Sequence, residues 1–119
     1  MEEIWKDIPG YENYYQASNL GRIRSKDRLI IVNDYQNAHA YCKGFSYVRP
    51  GKVLKARKNM CGYLTVPICI NKKTKSISVH RLVAKTFIEN KYNLPQVNHI
   101  DENKLNNNIN NLEWCTEQY

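Results

Sequence analysis

Three things are scarce in these 119 residues, and each scarcity excludes something. No apolar run approaches the roughly 18 residues that a membrane helix requires. The opening MEEIWKDIPG is acidic and lacks the apolar segment of a secretory signal, so a cytoplasmic protein is the expectation. The four cysteines, Cys42, Cys61, Cys69 and Cys115, form no C-x-x-C pair, and their spacings match no common zinc pattern. Reduced, mostly buried thiols are expected. A zinc site shared with His39 or His80 is the alternative. The third scarcity is of acid in one region: residues 51–90 hold nine Lys/Arg and only Glu89 against them.

That uneven charge is the first positive signal. The net charge is +7. Residues 1–50 are nearly balanced and residues 91–119 are slightly acidic, so the excess is concentrated in the middle. A concentrated basic segment is the electrostatic footprint of a polyanion binder, although a solvated lysine-rich surface gives the same count. The length allows one domain, or a small domain with an appended module, divided here as 1–50 and 51–119.

Local patterns give an α+β reading. Within WKDIPGYENYYQASNLGRIRSKDR, Pro9-Gly10 and Asn19-Leu20-Gly21 mark turns. Residues 14–17 and 22–25 suit short strands, with Ile23 facing in and Arg22 and Arg24 facing out. Residues 29–50 begin with the strand-like LIIV, then show no period, and read as an irregular excursion. Residues 52–79 read as a β-meander. In it GYLTVPICI pairs with SISV across the turn NKKTK, which puts Lys72, Lys73 and Lys75 at an exposed tip. Pro67 makes its strand an edge or a bulge. HRLVAKTFIEN, 80–90, shifts to helical period. Leu82, Val83, Phe87 and Ile88 form its apolar stripe, and Arg81 and Lys85 lie opposite. His80 is expected to be structural at the helix start, hydrogen-bonded into the core.

The last segment is QVNHIDENKLNNNINNLEWCTEQY. QVNHI and LEWC read as two short strands joined by a polar loop, and Thr116 can cap a helix. VNHIDENKLNNNINNLEWCT resembles the ββα-metal core of HNH homing endonucleases. VHRLVAKTFI is similar to the helix those enzymes carry just upstream. IWKDIPGYENYYQASNLGRIRS resembles the nuclease-associated modular DNA-binding motif that often precedes the core in phage and intron enzymes. Together these blocks cover about two thirds of the chain.

The resemblance implies roles. His99 matches the general base, which can take a proton from water near neutral pH. Asn98 matches a ligand to one divalent cation, Mg²⁺ by preference and Mn²⁺ as an option. Asn111 matches the asparagine that ties the loop so that His99 points correctly. Asp101, Asn103 and Asn106 would structure that loop, and Asn107 also falls on the family pattern, with Asn108 and Asn110 as filler. Leu112 and Trp114 would pack the second strand on the core. The implied partner is double-stranded DNA, held by Arg22, Arg24, Lys52, Lys55, Arg57, Lys72, Lys73, Lys75 and Arg81. A monomer is favoured, in a bacterial host's cytoplasm if phage-encoded.

Two departures from the family pattern matter. Glu102 replaces the usual glycine of D-G-N-K. It must avoid positive φ, pass it to Asn103, or carry strain of about 1–2 kcal/mol. The chain also stops at Tyr119, where the family continues with a helix carrying a second metal ligand. Three residues past Thr116 cannot close a helical turn. The expectation is a core whose final helix is missing or truncated, with weak metal binding and poor cutting. The alternatives are a catalytically impaired or non-catalytic DNA-binding fragment and, more remotely, a zinc-stabilised adaptor.

Overall fold

The computed structural model describes residues 2–116. The chain opens on a three-stranded antiparallel meander, β1 (Trp5–Asp7), β2 (Tyr15–Ser18) and β3 (Ile23–Ser25). Its alternation is the one the sequence suggests. Tyr15, Ala17 and Ile23 point into the core, and Gln16 and Arg24 pair on the outer face.

Residues 28–49 are not an irregular excursion. Arg28–Val32 (β4) pairs with Phe45–Arg49 (β7) over five residues, and Tyr35–Gln36 (β5) pairs with Tyr41–Cys42 (β6) nearer the tip. The result is a long two-stranded arm, and the molecule is drawn out to 62 × 31 × 25 Å. The arm exposes Leu29, Ile31 and Val48 on one face and stacks Phe45 on Tyr47 on the other. Asp34 ties the arm's turns together by accepting from the Gly44 N–H and the Tyr41 hydroxyl.

A second three-stranded sheet follows, in the order β10-β9-β8: β8 (Arg57–Lys58), β9 (Leu64–Ile70) and β10 (Lys73–Ser78). KVLKAR enters this sheet only at Arg57, and its Val53 instead forms a single bridge to Arg24 of the first sheet. β8 reaches only Leu64 and Thr65, so β9 is a free edge on that side at Pro67, where a missing N–H does no harm. Asn71 and Lys72 form the two-residue turn between β9 and β10 at φ 53° and 64°.

Ser78 leads directly into α1 (Val79–Phe87), which buries Val79, His80, Leu82, Val83 and Ala84 and exposes Arg81 and Lys85. After a loop come β11 (Gln96–His99), a 3₁₀ turn (Ile109–Asn111) and β12 (Leu112–Cys115). β11 and β12 pair antiparallel, with Asn98 opposite Glu113 and His99 opposite Leu112. The Trp114 indole N–H donates to the Ile88 carbonyl at 3.0 Å and ties this pair to the end of α1.

One buried cluster draws on every part except the arm. Ile8, Ala17 and Ile23 from the first sheet meet Val66 and Ile68 from the second, Leu82 and Val83 from α1, and Val97 and Leu112 from the final pair. Burying each such aliphatic side chain contributes about 1.5–3 kcal/mol. The cysteines depart from expectation: all four are free thiols, but Cys61 is exposed and the others are only half-buried. Among the described residues no helix is long and apolar enough to cross a membrane. The expected capping of a further helix by Thr116 bears on residues 117–119, which lie outside the described residues.

The Asn71-Lys72 turn generates a prediction. Two-residue turns with both φ positive favour Asn-Gly, and lysine in the left-handed region costs about 1 kcal/mol. Lys72→Gly should therefore raise unfolding stability by about 1 kcal/mol, read as a higher urea midpoint at unchanged slope. An unchanged or lower midpoint would contradict the turn assignment.

Candidate active site and basic surfaces

β11 and the backbone that follows it position His99. Strand alternation turns Val97 and His99 inward and leaves Asn98 on the outer side. The His99 ring is 6% exposed. Its Nε2 lies 2.8 Å from the Asn107 side-chain oxygen. With that oxygen accepting, Nε2 carries the proton and Nδ1 is left as the basic nitrogen of the neutral ring.

Two other rings pack against it. His80 lies 4.9 Å from it between centroids, and Tyr63 lies 5.9 Å from it and 5.0 Å from His80. Lys104 caps the stack with its ammonium 4.7 Å over the Tyr63 ring, fixed there by a 2.9 Å bond to the Cys61 carbonyl. Burial, and secondarily the charges of His99 and Arg81, push the His80 pKa down to about 4, so His80 is neutral at ordinary pH. The expected hydrogen bonding of His80 into the core is incomplete, because its Nδ1 is buried without a partner.

The loop behind His99 is a chain of side-chain to backbone bonds. Asn111 is its hub. Its Oδ1 accepts from the Asp101 N–H, and its Nδ2 donates to Asp101 Oδ1 and to the Asn106 carbonyl, each at 2.9 Å. Asp101 also accepts from the Asn103 N–H and from the Asn106 amide. Asn103 accepts from the Leu105 N–H. Asn108, expected to be filler, accepts from the Asn110 N–H and caps the 3₁₀ turn. Glu102 does adopt the left-handed region, at φ 63°, so the missing glycine is met by strain at that residue and not by Asn103.

Asn98 gives its Nδ2 hydrogen to the Glu113 carboxylate at 2.9 Å across the strand pair. Its own carbonyl oxygen and that carboxylate are hard oxygen donors. Mg²⁺ keeps most of its waters and takes one or two protein oxygens plus phosphate oxygens. These residues therefore fit a cation shared with a bound phosphate, not one caged by protein. Among the described residues no three His, Cys, Asp or Glu side chains gather as a metal cluster.

The basic residues divide between two faces. Lys52, Lys55 and Arg57 line an open cleft of about 520 Å³ with Thr65, Pro67 and Ser76, on the outer face of the second sheet. Lys73 and Lys75 pair opposite Ile70 and Ile68, and so lie on the other face, beside Tyr11. Lys72 is at the turn between them. Arg24 is half-buried, bonded to Gln16 and 4.3 Å over the Trp5 ring, beside a second cleft of about 390 Å³ shared with Lys26 and Asp27. Arg22 is gripped by the Glu3 carboxylate, so its charge is largely answered within the first sheet. Arg81 donates to Gln96. Among the described residues the ion pairs are Arg22–Glu3 and Lys26–Asp7, which leaves the other basic side chains without carboxylate partners.

A strand pair thus holds His99 against an asparagine-tied loop, preceded by β-rich segments that carry basic side chains, an arrangement whose class the relatives supply. Comparison with known proteins makes the class specific. Residues 3–69 match the NUMOD4 motif and residues 78–119 match the HNH endonuclease family. The chain is 35% identical over 114 residues to the DNA endonuclease I-HmuI of Bacillus phage SP01, covering 96% of this chain and 53% of that protein. It is 60% identical over 68 residues to an uncharacterized HNH endonuclease of Acanthamoeba polyphaga mimivirus, covering 57% of this chain and 21% of that one. A solved structure of DNA binding and cleavage by I-HmuI superposes with a TM-score of 0.65 at 35% identity, over 98% of this chain and 53% of that one. The chain belongs to the HNH homing endonuclease family and carries a NUMOD4 motif ahead of the HNH segment. It spans about half the length, or less, of these relatives.

The Asp101 knot predicts a pH response. Hydrogen bonds from the Asn103 N–H, then from the Asn106 and Asn111 amides, hold its carboxyl below the ordinary carboxylate range. A depressed carboxyl adds stability above its unfolded value and loses it as pH falls through the lower folded value. Below about pH 4, the wild-type melting temperature should fall more steeply than that of Asp101→Asn. Parallel curves would show that the loop does not depend on this charge.

Proposed function

We propose that this chain is the DNA-binding and HNH portion of a metal-dependent DNA endonuclease, with His99 as general base. The single observation that carries the reading is the His99–Asn107 contact at the end of the β11–β12 pair, which leaves Nδ1 as the nitrogen able to accept a proton. In this reading the pair is the ββ part of a ββα-metal core. Family membership supports it, since HNH nucleases use a divalent cation and act on DNA.

The chemistry follows from the residues. His99 Nδ1 takes a proton from a water, and the resulting hydroxide attacks the phosphodiester in line, expelling the 3′-oxygen. Asn111 and Asp101 keep the loop, and through it the ring, in one arrangement. Asn98 and Glu113 would hold the cation, Mg²⁺ by its preference for oxygen, and its charge would offset that of the reacting phosphate. Lys52, Lys55, Arg57, Lys72, Lys73 and Lys75 grip the duplex backbone, with Arg24 supported on Trp5. Arg22 contributes less, because Glu3 already answers it.

The short supply of metal donors among the described residues favours a second reading, a DNA-binding module that does no chemistry. His99→Ala separates the two. The nuclease reading expects Mg²⁺-dependent nicking of plasmid DNA to fall by about 10²–10⁴-fold with duplex affinity retained. The binder reading expects no nicking by the wild type.

Salt tests the interface. Each phosphate neutralised contributes about 0.9 to the slope of log K against log salt. The double substitution Lys55→Ala/Arg57→Ala should therefore reduce that slope by about 2. An unchanged slope would remove this cleft from the interface.

A further inference from the structure

The two matched segments share the buried cluster, and one of their contacts lies directly behind His99. The turn between β2 and β3 presses on the HNH loop. The Asn19 carbonyl accepts from the Ile109 N–H at 3.0 Å, and Asn19 is itself locked, its side chain bonded to the Ile4 N–H and the Glu2 carbonyl. Two residues on, Gly21 stands at φ 93° against Asn107. A Cβ on Gly21 would lie 2.8 Å from the Asn107 backbone and Cβ alike. Asn107 is 4% exposed, and its Oδ1 is the atom that meets His99 Nε2. Its Nδ2 is buried with no partner, so the contact with His99 is the one hydrogen bond this side chain makes among the described residues.

We infer that Asn107 is a positioning residue that sets the tautomer and orientation of His99, and that Gly21 of the NUMOD4 segment is its backstop. The motif ahead of the nuclease segment is thus part of the catalytic unit as well as a DNA contact. The inference rests on His99 being the general base. The alternative role for Asn107, plain core packing, would leave the ring indifferent to whether that side chain can accept a hydrogen bond. The alternative role for Gly21, a turn glycine chosen only for its φ, would make it equivalent to any other positive-φ glycine. Gly10 supplies that comparison: its φ is 89°, and a Cβ there meets nothing nearer than the Lys85 ammonium at 3.6 Å.

The test is made on the full chain, with the ring nitrogens of His99 followed by ¹⁵N-edited NMR, where a protonated and a bare imidazole nitrogen are well separated. Wild type should show the proton on Nε2. Asn107→Asp keeps an acceptor and should keep that proton. Asn107→Leu should lose the fixed tautomer and slow Mg²⁺-dependent nicking by about 10–100-fold, with duplex affinity within about twofold, since no phosphate contact is lost. Gly21→Ala should shift the His99 ring signals, whereas Gly10→Ala should not, although both place alanine in a left-handed backbone. An unaltered Nε2 proton in Asn107→Leu would overturn the assignment of Asn107. Equal effects of Gly21→Ala and Gly10→Ala on the ring would overturn that of Gly21, and should Gly21→Ala not fold, the two Asn107 variants decide the inference. Wild-type protein with the Nε2 proton in place but no nicking would instead sink the nuclease reading while supporting Asn107's hold on the ring.

Discussion

A backbone that leaves a strand, turns several times and returns to the same strand pair must find partners for every N–H it takes out of the ladder. Between His99 and Leu112 that requirement is shared between backbone carbonyls and short amide and carboxylate side chains. Asparagine suits it because one side chain can accept from a backbone N–H and donate to a backbone carbonyl at once. Asn111 does so at the centre, and Asp101, Asn103, Asn106 and Asn108 extend the pattern one turn at a time. The asparagine-rich stretch therefore supplements the backbone bonding of a loop whose one regular element, among the described residues, is the short 3₁₀ turn Ile109–Asn111. Everything that depends on the direction of the His99 ring depends on it.

The loop is held from three sides. β12 is anchored to α1 through Trp114 and Ile88, so the far strand of the pair cannot drift from the core. The Tyr63 and His80 rings fill the space beside His99, and Lys104, itself a loop residue, reaches back to the turn before β9. The first sheet closes the third side through Asn19 and Gly21. The histidine is thus enclosed by residues distant in sequence, although its motif occupies one short segment.

What the sequence disclosed, and what it withheld, follows the range of the interactions. The alternation of Tyr15, Ala17 and Ile23, the helical stripe of Leu82 and Val83, and the pairing of QVNH with LEWC are local patterns and were legible. That the missing glycine disturbs this turn was legible too, because it is a local fact, but not that Glu102 itself would take the positive φ. The arm was not, since Leu29 to Val48 pair across a gap filled with aromatics of no clear period. The basic block reads as one unit along the chain, but β9 and β10 put Lys73 and Lys75 on the opposite face from Lys55 and Arg57. Tyr63, and the task of Asn107 in particular, could not be read from spacing. The hints were the family pattern, which includes Asn107 without giving its task, and the Asn19-Leu20-Gly21 turn, whose glycine marks a close approach without naming what approaches.

The arm's ladder closes only on itself and takes no part in the buried cluster. Its length is therefore free to drift over generations, but not by arbitrary steps. A residue gained on one side alone must bulge, and a single matched pair exchanges the Leu29–Val48 surface for the Phe45–Tyr47 surface in all that lies beyond it. Only growth or loss by two rungs leaves both surfaces as they were. Parity, not size, is what this appendage has to inherit.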